Sequence, residues 1–192
     1  VRRIVSIALV TGALAATAGC GGGDGGGGGS GNTVSPEAWS AAVCSAVGGW
    51  ATDLQTASES LSGAMSGATS VADVRERFVT FLETAIARSD QMLSEAEAAG
   101  QPDVEDGGEI ADFLLDELRS FKTALEDARD QAEDLPDDPA GFTQGAQEIG
   151  ASLEQVGEDA AKGFDELDDK YQSAELQQAF EDEPACQELQ TA

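Results

Sequence analysis

Histidine is absent from the 192 residues, basic side chains number only ten against 37 acidic ones, and there are only three cysteines. Each shortage excludes something. Without imidazole the chain cannot build a Ser-His-Asp triad, a Cys-His nucleophile pair or a histidine-ligated zinc or haem site. The Glu-x-x-His ligands of di-iron bundles are excluded for the same reason. Cys20, Cys44 and Cys186 include no C-x-x-C pair, which leaves no thiolate zinc site and no dithiol redox motif. The scarcity of Lys and Arg sets the formal charge at −27. Such a surface repels phosphate backbones and anionic head groups, so nucleic-acid binding is excluded.

Carboxylates, by contrast, are plentiful. The densest runs are Glu133-Asp134 with Asp137-Asp138, and Asp165-Glu166 with Asp168-Asp169. The spacing and closing Glu of an EF-hand are missing from both. Nor does anything frame a sugar cleft around a catalytic carboxylate pair. These runs read as solvated faces and turns, and the sequence gives no reason to expect a metal, a cofactor or a catalytic residue.

The N-terminus carries the most specific signal. Arg2 and Arg3 form a positive n-region, residues 4–14 a brief apolar core, and residues 15–19 the small side chains that a signal peptidase accepts. A helix needs about 20 apolar residues to cross a bilayer, so this segment reads as an export signal and not as a span. The segment Thr17-Ala18-Gly19-Cys20 resembles the lipobox of bacterial lipoproteins, with Thr17 where those usually carry Leu. The resemblance covers only the leader. It implies that Cys20 is diacylated on sulfur, becomes the new N-terminus and anchors the chain in the lipid bilayer at the extracytoplasmic face of the cell membrane. Ala16-Thr17-Ala18 also fits an A-x-A cleavage site, which would give a secreted protein with a free thiol at Cys20. Cysteine arithmetic favours the lipid: in an oxidising compartment Cys44 and Cys186 can pair, and acylation gives the third cysteine a fate. Valine at position 1 fits an alternative start codon. With Arg exceeding Lys and abundant Ala and Gly, it suggests a high-GC bacterium such as an actinobacterium.

These observations divide the chain into a cleaved signal peptide over 1–19, a lipidated Cys20 with a Gly-rich flexible linker over 20–33, and a helical domain over 34–192. Losing Arg2 and Arg3 with the leader leaves eight basic residues and a net charge of about −29. The linker offers no apolar side chain to bury and should span about 20 Å as a flexible coil. No strand precedes its glycines and no Lys-Ser/Thr follows them, which argues against a phosphate loop.

From Ser35 onward apolar residues recur at three- and four-residue steps, the helical period. Ser35-Pro36-Glu37 opens a first stripe through Trp39, Val43, Val47, Trp50, Leu54 and Leu61. Ser70, with Asp73 placed as in a capping box, opens a second through Phe78, Leu82, Ala85 and Met92. A third runs from Ile110 to Ala132, and a fourth from Phe142 through Ile149, Leu153, Val156, Phe164 and Leu167 to Tyr171. Short connections near Gly67, Gly100 and Pro136 predict an all-α, up-down antiparallel four-helix bundle with a short C-terminal helical extension around Leu176 and Phe180. In that topology the first N-terminus and the last C-terminus share one end, so a Cys44–Cys186 disulfide is expected.

Trp39 and Trp50 fall on the first stripe and read as core. Were either exposed, the cysteine end would offer a candidate binding surface. Gly145, Gly150, Gly157 and Gly163 in the fourth helix read as close-packing positions, or alternatively as points where that helix bends. The functional expectation is a noncatalytic, membrane-tethered binding or scaffolding module for another cell-envelope protein. The alternative is a helical bundle that opens around a small apolar or cationic ligand.

Overall fold

Helix starts are where the local chemistry of this chain is most explicit. A computed structural model describes residues 32–170 and 173–189, the side chains of 161 and 164–170 excepted. Helix α1 (Pro36–Met65) starts where the Ser35 hydroxyl accepts the Ala38 N–H at 3.3 Å, with proline in the first turn. Helix α2 (Val71–Ala98) follows Ser70, whose hydroxyl accepts the Asp73 N–H at 3.1 Å. The Asp73 carboxylate in turn accepts the Thr69 hydroxyl at 2.6 Å and the Thr69 N–H at 3.0 Å. Of the reciprocal cap expected from Ser70 and Asp73 the Ser70 half is formed, while the carboxylate takes the N–H of Thr69, one residue before the cap, in place of that of Ser70. Helix α3 (Gly107–Glu133) begins after Asp106, and α4 (Pro139–Lys170) begins where the Asp138 carboxylate accepts the Gly141 N–H at 2.9 Å. Two short helices, α5 (Ala174–Asp182) and α6 (Pro184–Leu189), complete the chain.

The Thr69 hydroxyl, followed by the Thr69 N–H and the Ser70 hydroxyl, holds the Asp73 carboxyl below its usual range. A carboxyl whose folded pKa is depressed stabilises the fold above its unfolded value and loses that contribution as pH falls through the folded one. Asp73→Ala is therefore expected to lower the melting temperature at neutral pH. The gap from the parent protein should narrow as the solution is acidified through the carboxylate range. A gap that does not change with pH in thermal scans would contradict this.

Consecutive long helices pack closely, α1 on α2, α2 on α3 and α3 on α4, which makes the described chain an all-α helical bundle. Apolar side chains gather into two clusters. At the cysteine end, Trp39 and Val43 of α1 meet Ile110, Ala111 and Leu114 of α3 and Leu176 of α5. Towards the opposite end, Leu82 and Ala85 of α2 meet Leu125, Ala128 and Ala132 of α3, Leu135, and Ile149 of α4. Ion pairs cross the α2–α3 seam, Lys122 to Asp90 at 2.6 Å and Arg119 to Glu97 at 2.8 Å. Each pair has at least one exposed member and Arg119 with Glu97 is exposed on both sides, so such pairs contribute at most about 1 kcal/mol each.

The C-terminal extension is an integral part of the core. Both α5 and α6 lie against α1, burying Leu176, Ala179 and Cys186. A disulfide joins Cys44 to Cys186 with their Cα atoms 5.1 Å apart, across 142 residues of sequence.

One feature corrects the expected linker boundary. Thr33, assigned to the flexible linker, forms with Val34 the strand β1 (Thr33–Val34), which pairs in parallel with β2 (Gln101–Pro102) in the register Thr33 to Gln101 and Val34 to Pro102. The Gln101 N–H donates to Asn32 O at 3.0 Å and the Asp103 N–H to Val34 O at 2.8 Å. Backbone pairing needs no apolar side chain, so composition did not disclose it. It does need close approach: Gly100 has φ +74°, and a Cβ there would collide with the Asn32 carbonyl. The leader, Cys20 and the linker up to residue 31 lie outside the described residues, as do Tyr171 and the side chains of Phe164 and Leu167. Among the described residues no helix is long and apolar enough to cross a membrane.

Candidate functional site

The two tryptophans are placed by polar partners as well as by packing. Trp39 is 2% exposed, donates its indole N–H to Gly100 O at 3.0 Å and meets Phe180 edge-on at 5.9 Å between ring centroids. Trp50 is half-buried, donates to the Ser89 hydroxyl at 3.0 Å and meets Phe121 edge-on at 5.2 Å. The Ser89 hydroxyl in turn donates a hydrogen bond to Ala85 O at 2.9 Å. Both rings thus join helices to one another, and Trp39 lies within the core and not on a surface. Cys44 and Cys186 are buried in their disulfide and present no thiol. Among the described residues, every buried side-chain nitrogen and oxygen has a partner, and no group of three or more acidic or cysteine side chains is arranged to hold a metal ion.

The structure instead presents a groove away from the tryptophans, between the second half of α1 and the first half of α2, with a volume of about 650 Å³. The first half of α1 is secured on both flanks, by α2 and by α5 and α6. Beyond Ala46 none of its residues is fully buried, and Leu54, Ala57, Leu61, Ala64 and Met65 are only half-covered. On α2 the facing stripe is Arg77, Phe81, Thr84 and Arg88, at steps of four, three and four, which line up on one helical face. The two arginines therefore stand about 16 Å apart at 1.5 Å of rise per residue.

Between them the groove has an apolar floor of Ala57, Leu61, Ala64 and Phe81 and a rim of hydroxyls and charges. Arg88 is engaged, contacting the Asp53 carboxylate at 3.3 Å and donating to Gln91 Oε1 at 3.2 Å. Arg77 has no carboxylate within 4 Å among the described residues. The Thr80 and Thr84 hydroxyls donate to the carbonyls of Glu76 and Thr80, each at 2.9 Å, which leaves them as acceptors toward a visitor. The lining contains no nucleophile held by a base. What it can do is bury an amphipathic surface and pair with it at the rim.

No protein-family model, no curated protein and no solved structure matches this chain.

Proposed function

We propose that this chain is a noncatalytic extracytoplasmic lipoprotein. In this reading the leader is removed, acylated Cys20 anchors the chain in the cell membrane, the glycine-rich segment is a tether, and the helical body binds another envelope protein through the α1–α2 groove. The leader residues supply the support for the anchor. The observation that carries the binding role is the second half of α1, a long run of half-covered apolar side chains with no fully buried residue and a mixed-charge rim. An apolar centre ringed by polar groups is the usual anatomy of a protein interface.

The test is site-specific photo-crosslinking in cells. A photoreactive side chain at Ser60 or Thr84 in the groove is expected to yield a defined adduct, whereas one at exposed Glu148 of α4 is not. Arg77→Glu should diminish the groove adducts. Equal labelling at all three positions, or adducts at Glu148 alone, would contradict the assignment.

A second reading, a small-ligand binder for an apolar or cationic molecule, draws on Gly150 and Gly157, at which a Cβ would meet nothing within 4 Å. These two glycines are not explained by packing. A ligand that binds only the folded state would raise the melting temperature, and would go on raising it with the logarithm of its concentration once the site is full. No shift from any apolar or cationic candidate would leave the protein-binding role in place.

A further inference from the structure

Helix α4 is fixed at its two ends by different means. At its start, Ile149 is 2% exposed, Phe142 packs against the same cluster, and Gly145 sits so close to the Leu135 side chain that a Cβ would overlap it. Near its far end, Gly163 lies against Phe113 and Glu117 of α3. Beyond that, Ser173 caps α5, Leu176 and Ala179 are buried, the Ser40 hydroxyl donates to Ala179 O at 3.3 Å, and the Cys44–Cys186 disulfide fastens α6 to α1.

The stretch between these fixings is different. Over residues 150–160 only Leu153, Val156 and Ala160 are even half-buried, and every other side chain is exposed. The stretches of α2 and α3 that likewise lack a fully buried residue, 71–81 and 115–124, are by contrast half-buried at most of their positions. Among the described residues, the stretch contributes to only one ion pair, Asp159 with Lys162, and that pair lies within the helix. Gly150 and Gly157 face open space, so their lack of a side chain gains no packing, while each makes the helical state about fivefold less favourable than alanine would.

From this arrangement we infer that residues 150–160 form a strap, held at both ends, that opens away from α3 and withdraws Leu153 from the edge of the second cluster, while the buried residues of both clusters and the disulfide stay closed. Local opening of this kind is expected where buried contacts are few and the flanking structure is strong. It gives the bundle a second state in which the α3 face beneath Leu153 and Val156 meets solvent. The strap is a property of the free protein and does not depend on what the groove binds.

Hydrogen exchange of the intact, oxidised protein, read by mass spectrometry of peptides, tests it. Peptides over 150–160 are expected to exchange through an opening that leaves peptides around Leu82 to Leu93 and Ile110 to Leu125 protected. In the variant Gly150→Ala/Gly157→Ala, strap exchange should slow roughly thirtyfold while α2 and α3 keep their rates. Strap amides protected as strongly as those of α2 in the parent protein would overturn the inference. So would a double variant that slows all helices by one common factor, or one that leaves the strap unchanged.

Discussion

Replacing both bridged cysteines, as Cys44→Ala/Cys186→Ala, is expected to lower the unfolding free energy by up to about 5 kcal/mol, the chain-entropy value for a cross-link closing a loop of roughly 140 residues. The loss should not be spread evenly. Helices α5 and α6 have nine and six residues, and isolated helices shorter than about 12–15 residues are marginal in water. They keep their place through Leu176, Ala179 and the disulfide, so without the cross-link the α5–α6 arm should detach from α1 first. Phe180 would then leave Trp39, and the indole would become accessible. Urea unfolding followed by Trp fluorescence reads both effects together: a lower midpoint, and an early spectral change before the helical signal falls. An unchanged midpoint would show that the arm is held without the bond.

Trp39→Ala should cost about 3–5 kcal/mol, the range for deleting a buried large aromatic from a close-packed core. Three separate losses meet at this one side chain. The ring fills the first cluster beside Val43, Ile110 and Leu176, it meets the edge of Phe180, and its N–H satisfies Gly100 O in the bend that also receives the β1 backbone. Trp39→Phe separates them in part, since it keeps most of the apolar area and leaves Gly100 O without its donor, at a cost of about 1–3 kcal/mol. Trp50→Ala is expected to cost less than Trp39→Ala because that ring is only half-buried. Chemical denaturation of the three variants gives the ranking. A Trp39→Ala cost near that of Trp39→Phe would mean that the first cluster collapses around the vacancy.

Much of the fold was legible because it rests on local chemistry. Ser35-Pro36, Ser70 with Asp73, and Asp138-Pro139 mark helix starts through groups that must satisfy free N–H donors, and such groups can be read without a tertiary context. The helical period likewise assigned Trp39, Leu82, Ile110 and Ile149 to buried faces, where they are found. The Cys44–Cys186 pair followed from topology.

Other features were hidden for identifiable reasons. The β1–β2 pairing is made by backbone atoms of residues whose side chains carry no strand pattern. The groove draws on the α1 stripe that periodicity assigns to the core, through Leu61, together with Ala57 and Ala64 beside it. A period reveals that a helix has an apolar face but not whether a second helix arrives to cover it. The fourth-helix glycines show the same limit: Gly145 and Gly163 stand at close approaches, whereas Gly150 and Gly157 stand in open space, and nothing in their local sequence separates the two pairs.

The proposal that this helical body works at a membrane rests on Cys20, so the most direct measurement is the chemistry of the mature N-terminus. Mass spectrometry of the protein purified from the membrane fraction of its own cells, or of a bacterial host that processes lipoproteins, should find a first peptide that begins at Cys20 and carries a thioether-linked diacylglycerol. A first peptide that begins at Gly19, with an unmodified Cys20 thiol and the protein in the culture medium, would contradict the anchor and leave a freely secreted bundle.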